Sequence, residues 1–157
     1  MPKRRTLLVG GASLAGAALV GGILLPGAVL AQKLEVYVNS DGVAINGYDP
    51  VAYFREGAPV EGLPEFTARW KRVTWQFSSA ENRDLFMASP EDYAPQYGGY
   101  CAYAVSRGYI ASTVPEAWTI FEGKLYLNFS LGVRDTWRRD MEANIAKADA
   151  NWPGVLE

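Results

Sequence analysis

The chain offers neither a disulfide nor a zinc staple of its own. Of its 157 residues, one is cysteine and none is histidine. An intramolecular disulfide needs a second thiol, and a closed zinc site needs four nitrogen or sulfur ligands. Any fold must therefore rest on the burial of apolar side chains. The missing imidazole also removes the base from every nucleophile–base–orienter set. Five tryptophans and nine tyrosines, all beyond residue 31, carry much of the apolar weight. Aromatic side chains at that density fill a small core well, and they also wall ligand pockets.

Residues 1–31 read as an export signal outside the fold. Lys3, Arg4 and Arg5 make a basic start, and residues 6–31 carry no charge. Val29-Leu30-Ala31 places small residues where a signal peptidase cuts. Arg4-Arg5 followed by Leu7-Leu8 resembles a twin-arginine signal. The expectation is an exported, periplasmic protein that begins at Gln32. The alternative is an inner-membrane anchor over residues 6–31, long enough for a hydrocarbon core of about 30 Å. Gly10-Gly11, Gly21-Gly22 and Pro26 make that stretch a poor helix. Contact with membrane is expected only through an uncleaved signal.

Residues 32–157 suffice for one domain with a real core and are too few for two. Removing Lys3, Arg4 and Arg5 takes fifteen basic residues to twelve against seventeen acids, a net charge of −5. An acidic domain without basic clusters argues against nucleic acid as a partner.

Hairpins and helices alternate along this domain. Residues 34–38 have the alternation of a short strand, and 43–45 suggest another across the turn Asn39-Ser40-Asp41-Gly42. Asp49 suits an N-cap with Pro50 at the first helical position. Residues 65–70 and 73–77 predict a hairpin turning at Lys71-Arg72. Ser78 or Ser79 caps a helix that contains Asn82 on a polar face. Gly98-Gly99 precedes a helix over 100–106, closed by Gly108. Residues 117–121 and 124–129 predict a second hairpin across Glu122-Gly123. Ser130 opens one long final helix over 131–150, whose stripe Val133, Trp137, Met141, Ile145 and Ala148 is core packing. Arg138-Arg139 reads as a solvated face. With no βαβ crossover, the pattern gives an α+β domain: a small antiparallel sheet of hairpins covered by helices.

Three stretches then resemble a YHS domain: Gly47-Tyr48-Asp49-Pro50-Val51-Ala52-Tyr53-Phe54, the run from Trp75 to Phe86, and Ser89-Pro90-Glu91-Asp92-Tyr93. Tyr97-Gly98-Gly99-Tyr100-Cys101-Ala102 and the run from Asn144 to Pro153 are similar to the exported branch of that family. The resemblance spans nearly all of residues 32–157. Metal-binding relatives hold cysteines after the hairpin and one helical turn later. Here those positions are Ser78 and Asn82, so tightly held zinc is not expected.

Cys101 is the residue with the most chemical potential. A helix starting at 99 or 100 would place its thiol in the first turn and make it more acidic than a free thiol. Tyr97, Tyr100 and Tyr103 would wall a pocket around it, and the family packing would bring Tyr48 and Asp49 to its other side. Such a site would hold a small organic molecule, or a soft ion such as Cu(I) at Cys101. The alternative is a buried cysteine packing as a small hydrophobe. The carboxylates show no pairing for acid–base work, so a binding module leads. A Cu(I)-handling protein and a thiol-based redox sensor or enzyme follow.

The N-terminal sequence of the exported protein should read Gln-Lys-Leu-Glu. Replacing Arg4 and Arg5 by lysine should keep the precursor inside. A full-length protein retained in the membrane would refute the cleavage.

Overall fold

Two left-handed residues shape each hairpin. Lys71 (φ 48°) and Arg72 (φ 65°) join β1 (Leu63–Trp70) to β2 (Val73–Phe77). Glu122 (φ 50°) and Gly123 (φ 75°) do the same between β3 (Trp118–Phe121) and β4 (Lys124–Leu127). Positive φ at both central positions matches the right-handed twist of the flanking strands, so each turn closes in two residues. Trp70 pairs with Val73, and Phe121 with Lys124. β1 carries a register irregularity between Leu63 and Thr67. The computed structural model describes residues 32–157. Residues 1–31, where the signal reading falls, lie outside the described residues.

The class is α+β, as the alternation of hairpins and helices implies. Each hairpin is a separate two-stranded antiparallel sheet. Helices α1 (Pro50–Arg55), α2 (Ala80–Ala88), α3 (Pro90–Tyr93) and α4 (Ala102–Ser106) fall between and around them. Among the described residues, no helix is long and apolar enough to cross a membrane.

Two apolar clusters hold the elements. The first gathers Trp75 and Phe77 of β2 with Phe86 of α2, Tyr53 of α1 and Ile45. Phe86 lies 5.0 Å from the Trp75 ring and 5.1 Å from Phe77, the separation of favourable tilted aromatic pairs. The second gathers Tyr97, Tyr100, Val105, Tyr126, Trp137 and Ala148. Leu125 and Leu127 of β4 belong to the first cluster, while Tyr126 between them belongs to the second. Neighbouring strand residues point to opposite faces, so β4 is shared by both cores.

Three expectations change. Residues 34–38 and 43–45 make single bridges, Val38 with Ala44 and Val43 with Thr74, and no strand. The Asn39 side chain accepts from the backbone N–H of Asp41 and of Val43, which tightens the turn. Ile45 (φ 42°) and Asn46 (φ 60°) then swing the chain off the ladder. The Tyr37 N–H donates instead to the Gly98 carbonyl, at 2.9 Å.

The final helix, expected as one over 131–150, is two: α5 (Leu131–Arg138) and α6 (Met141–Asn151). Asp140 leaves helical geometry and its carboxylate accepts from the Ala143 N–H, a fresh N-cap. Asn144 secures the break by donating to the Trp137 carbonyl. Trp137 and Ala148 remain buried across it with Met141 and Ile145 packed against them, so these four are core as expected, whereas Val133 is half-buried and lines a cleft instead. Arg138 is not merely solvated. Its guanidinium donates to Thr119 Oγ1 at 2.8 Å and to the Trp118 carbonyl at 3.0 Å, tying α5 to β3.

Gly98 has φ 62°, and a Cβ there would run into the carbonyl oxygen of Glu35. Gly98→Ala should therefore destabilise the protein by about 3 kcal/mol or more, since it combines strain with a backbone clash. Urea unfolding measures this. A loss under about 1 kcal/mol would mean that residues 34–38 are not seated on Gly98.

Candidate functional site

Asp49 is committed to structure. It is fully buried and N-caps α1, with Oδ1 accepting from the N–H groups of Val51 (2.8 Å) and Ala52 (3.3 Å). Oδ2 accepts from the Ser78 N–H (2.8 Å), the Ser78 hydroxyl (2.7 Å) and the Asn82 amide (2.7 Å). Five donors saturate the carboxylate and leave it no capacity for a ligand. Ser79, not Ser78, caps α2. Asn82 is buried rather than part of a polar face, and its own oxygen accepts from Arg55 at 2.7 Å. Ser78 and Asn82 thus hold a buried anion in place. Tyr48 makes a backbone bridge to Glu61, far along the chain from the thiol's surroundings. Neither Tyr48 nor Asp49 is among the described residues lining the cleft beside Cys101.

The expected tyrosine ring around Cys101 is divided. Tyr97 (φ 57°), Gly98 (φ 62°) and Gly99 (φ 85°) are three left-handed residues in a row, and they turn the chain sharply before the thiol. Tyr97 donates to Asp149 at 2.8 Å and lines a different cavity, of about 320 Å³. Burial first, and then the hydrogen bond and charge of Asp149, push the Tyr97 phenol far above its ordinary value. Tyr100 donates to the Leu34 carbonyl at 2.8 Å and packs against Tyr37 and Trp152. Of these three tyrosines, Tyr103 lines the cleft that Cys101 lines. Its hydroxyl accepts from Arg107 at 2.8 Å, and the guanidinium lies over its ring.

Cys101 is the N-cap residue of α4, one position before the helix, and is 1 % exposed. Its Sγ accepts from the Phe129 N–H at 3.3 Å and donates to Asn128 Oδ1 at 3.5 Å. The acidity expected for this thiol is overturned. Burial pushes its pKa up, and this outweighs the downward pull of the backbone N–H groups of Ala104, Phe129 and Tyr103. The protonated thiol forms part of an apolar cleft of about 280 Å³, walled by Tyr103, Tyr109, Ala111, Phe129 and Val133. Tyr109 is 55 % exposed and Phe129 52 %.

Sequence reasoning missed Asn128, Tyr109 and Phe129. Asn128 is fully buried and also accepts from the Tyr103 N–H at 3.1 Å, which fixes the start of α4 against the end of β4. No spacing signal marks it. Phe129, directly before the Ser130 cap, could have been noted as a staple position left without a partner. Among the described residues, no group of three or more His, Cys, Asp or Glu side chains is placed to hold a metal.

No protein-family model, no curated protein and no solved structure matches this chain.

The raised thiol pKa gives a stability signature. A folded value above the unfolded one means that the native state holds the proton longer. That contribution is fully present below the ordinary thiol value of about 8.5 and is lost as pH rises through the folded value. Urea midpoints should fall more steeply above about pH 8.5 for the wild type than for Cys101→Ser. Parallel slopes would place the thiol in water.

Proposed function

We propose that the chain is an exported, non-catalytic binding module of YHS type whose ligand cleft is the one over Cys101. The motifs from Gly47 to Phe54 and from Tyr97 to Ala102 support the family reading. The observation that carries the site is the pair Tyr109 and Phe129. Both are about half exposed at an apolar cleft, where solvated aromatic area is gained back on binding.

Chemistry narrows the ligand. The cleft is small, its wall is largely apolar, and its thiol is protonated. A compact apolar or aromatic group fits these features, with the buried Cys101 beneath the exposed Tyr109 and Phe129 walls. Use of the same thiol for Cu(I) or for redox sensing would require the thiolate, which burial opposes. Those readings therefore rank behind.

Amide chemical shifts recorded with a panel of small aromatic fragments test this. Binders should move residues 101–104, 109–111 and 128–129. Val133→Trp should fill the cleft and abolish those shifts. Phe129→Ser should weaken binders by roughly tenfold, the cost of losing an aromatic wall. Shifts that cluster elsewhere, or survive Val133→Trp, would sink the assignment.

A further inference from the structure

The second cavity, of about 320 Å³, lies where the β1–β2 turn, the segment before Gly98 and the end of α6 meet. Its wall includes three aromatic side chains, Trp70, Tyr97 and Trp152, and three charged ones, Lys71, Glu91 and Asp149. Lys71 is already engaged. Its Nζ lies 3.3 Å from Glu35 Oε2 and 4.8 Å from the centroid of the Trp70 ring. Glu35 offsets its charge, and the Trp70 face is seen to accept a cation.

Glu91 and Asp149 have no such offset. Among the described residues neither is in an ion pair. Asp149 is oriented by the Tyr97 hydroxyl, which donates to Oδ1. Tyr97 is itself held by its left-handed backbone and by the Trp152 ring, 6.0 Å away at 62°. The cavity thus combines negative charge with the partly buried rings of Trp70 and Trp152, while Tyr97 is buried behind them. Aromatic faces attract cations through their quadrupole, and carboxylates add charge attraction in a concave site.

We propose that this cavity binds a small organic cation of the alkylated ammonium class. An alkylated ammonium is weakly hydrated, so aromatic walls can replace its water shell. A primary ammonium would give up stronger hydrogen bonds to water on entering. The site is separate from the Cys101 cleft and does not depend on it.

Tryptophan fluorescence and calorimetry of the purified protein with choline test this, because Trp70 and Trp152 report on the cavity. Choline should bind saturably with a Kd on the order of 0.1–1 mM. Its neutral isostere 3,3-dimethylbutan-1-ol should bind at least tenfold more weakly. Asp149→Asn keeps an acceptor for Tyr97, and Glu91→Gln changes an exposed position. Each should weaken choline about two- to fivefold at low salt. Cys101→Ser should leave choline binding unchanged, which separates this site from the proposed cleft. Phosphatidylcholine vesicles form a second arm. Co-sedimentation that the two amide variants abolish would identify the lipid headgroup as a source of the cation; choline binding without it would identify the free ion. The proposal falls if choline gives no saturable response. It also falls if the neutral isostere binds equally well, or if folded Glu91→Gln and Asp149→Asn bind choline like the wild type.

Discussion

β4 is the element on which both halves of the core depend. Its alternation sends Leu125 and Leu127 into the cluster under the first hairpin and Tyr126 into the cluster around Trp137. Each buried apolar side chain contributes about 1.5–3 kcal/mol, and in a short strand those contributions cannot be separated between two faces. A change of register by one residue would exchange the two sets and strand leucines among aromatic rings. The tight Glu122-Gly123 turn and the Arg138 bonds to β3 fix that register from both ends.

A second constraint, polar this time, fastens the first half. Burying a carboxylate costs several kcal/mol unless its lone pairs are filled. Asp49 is filled by backbone and side-chain donors from α1, from Ser78 just after β2, and from α2 together. The clamp joins segments about thirty residues apart, and it occupies both Ser78 and Asn82. Chemistry spent on holding the fold is chemistry withdrawn from ligand binding. Partly solvated aromatic side chains, Tyr109 and Phe129 among them, lie in the second half of the chain.

Much of the fold was legible in residue order. Both hairpin turns, the Asp49 and Ser79 caps and the Trp137–Ala148 stripe follow from local chemistry that the structure keeps. The break at Asp140 was not visible, because its cause is the capping competition of one aspartate within a helical pattern. The site was harder. The tyrosines near Cys101 are neighbours in sequence, yet after three left-handed residues Tyr97 lines one cavity, Tyr103 lines another, and Tyr100 packs against Tyr37 and Trp152. Asn128 escaped notice altogether, since its role comes from meeting α4 across twenty-five residues. The thiol's acidity was misjudged for a related reason. Local helix geometry pulls its pKa down, but burial by distant residues pushes it up further.

The burial of Cys101 has a consequence for how molecules of this protein are lost. In the folded state its sulfur is sheltered and protonated, so a passing disulfide finds no thiolate to exchange with. In an unfolded chain the same sulfur is free, and it is the chain's one thiol. The only disulfide it can then form is with another molecule. Oxidation would convert a reversible opening into a covalent dead end, so survival of the protein under oxidising conditions becomes a matter of unfolding rate rather than of equilibrium stability.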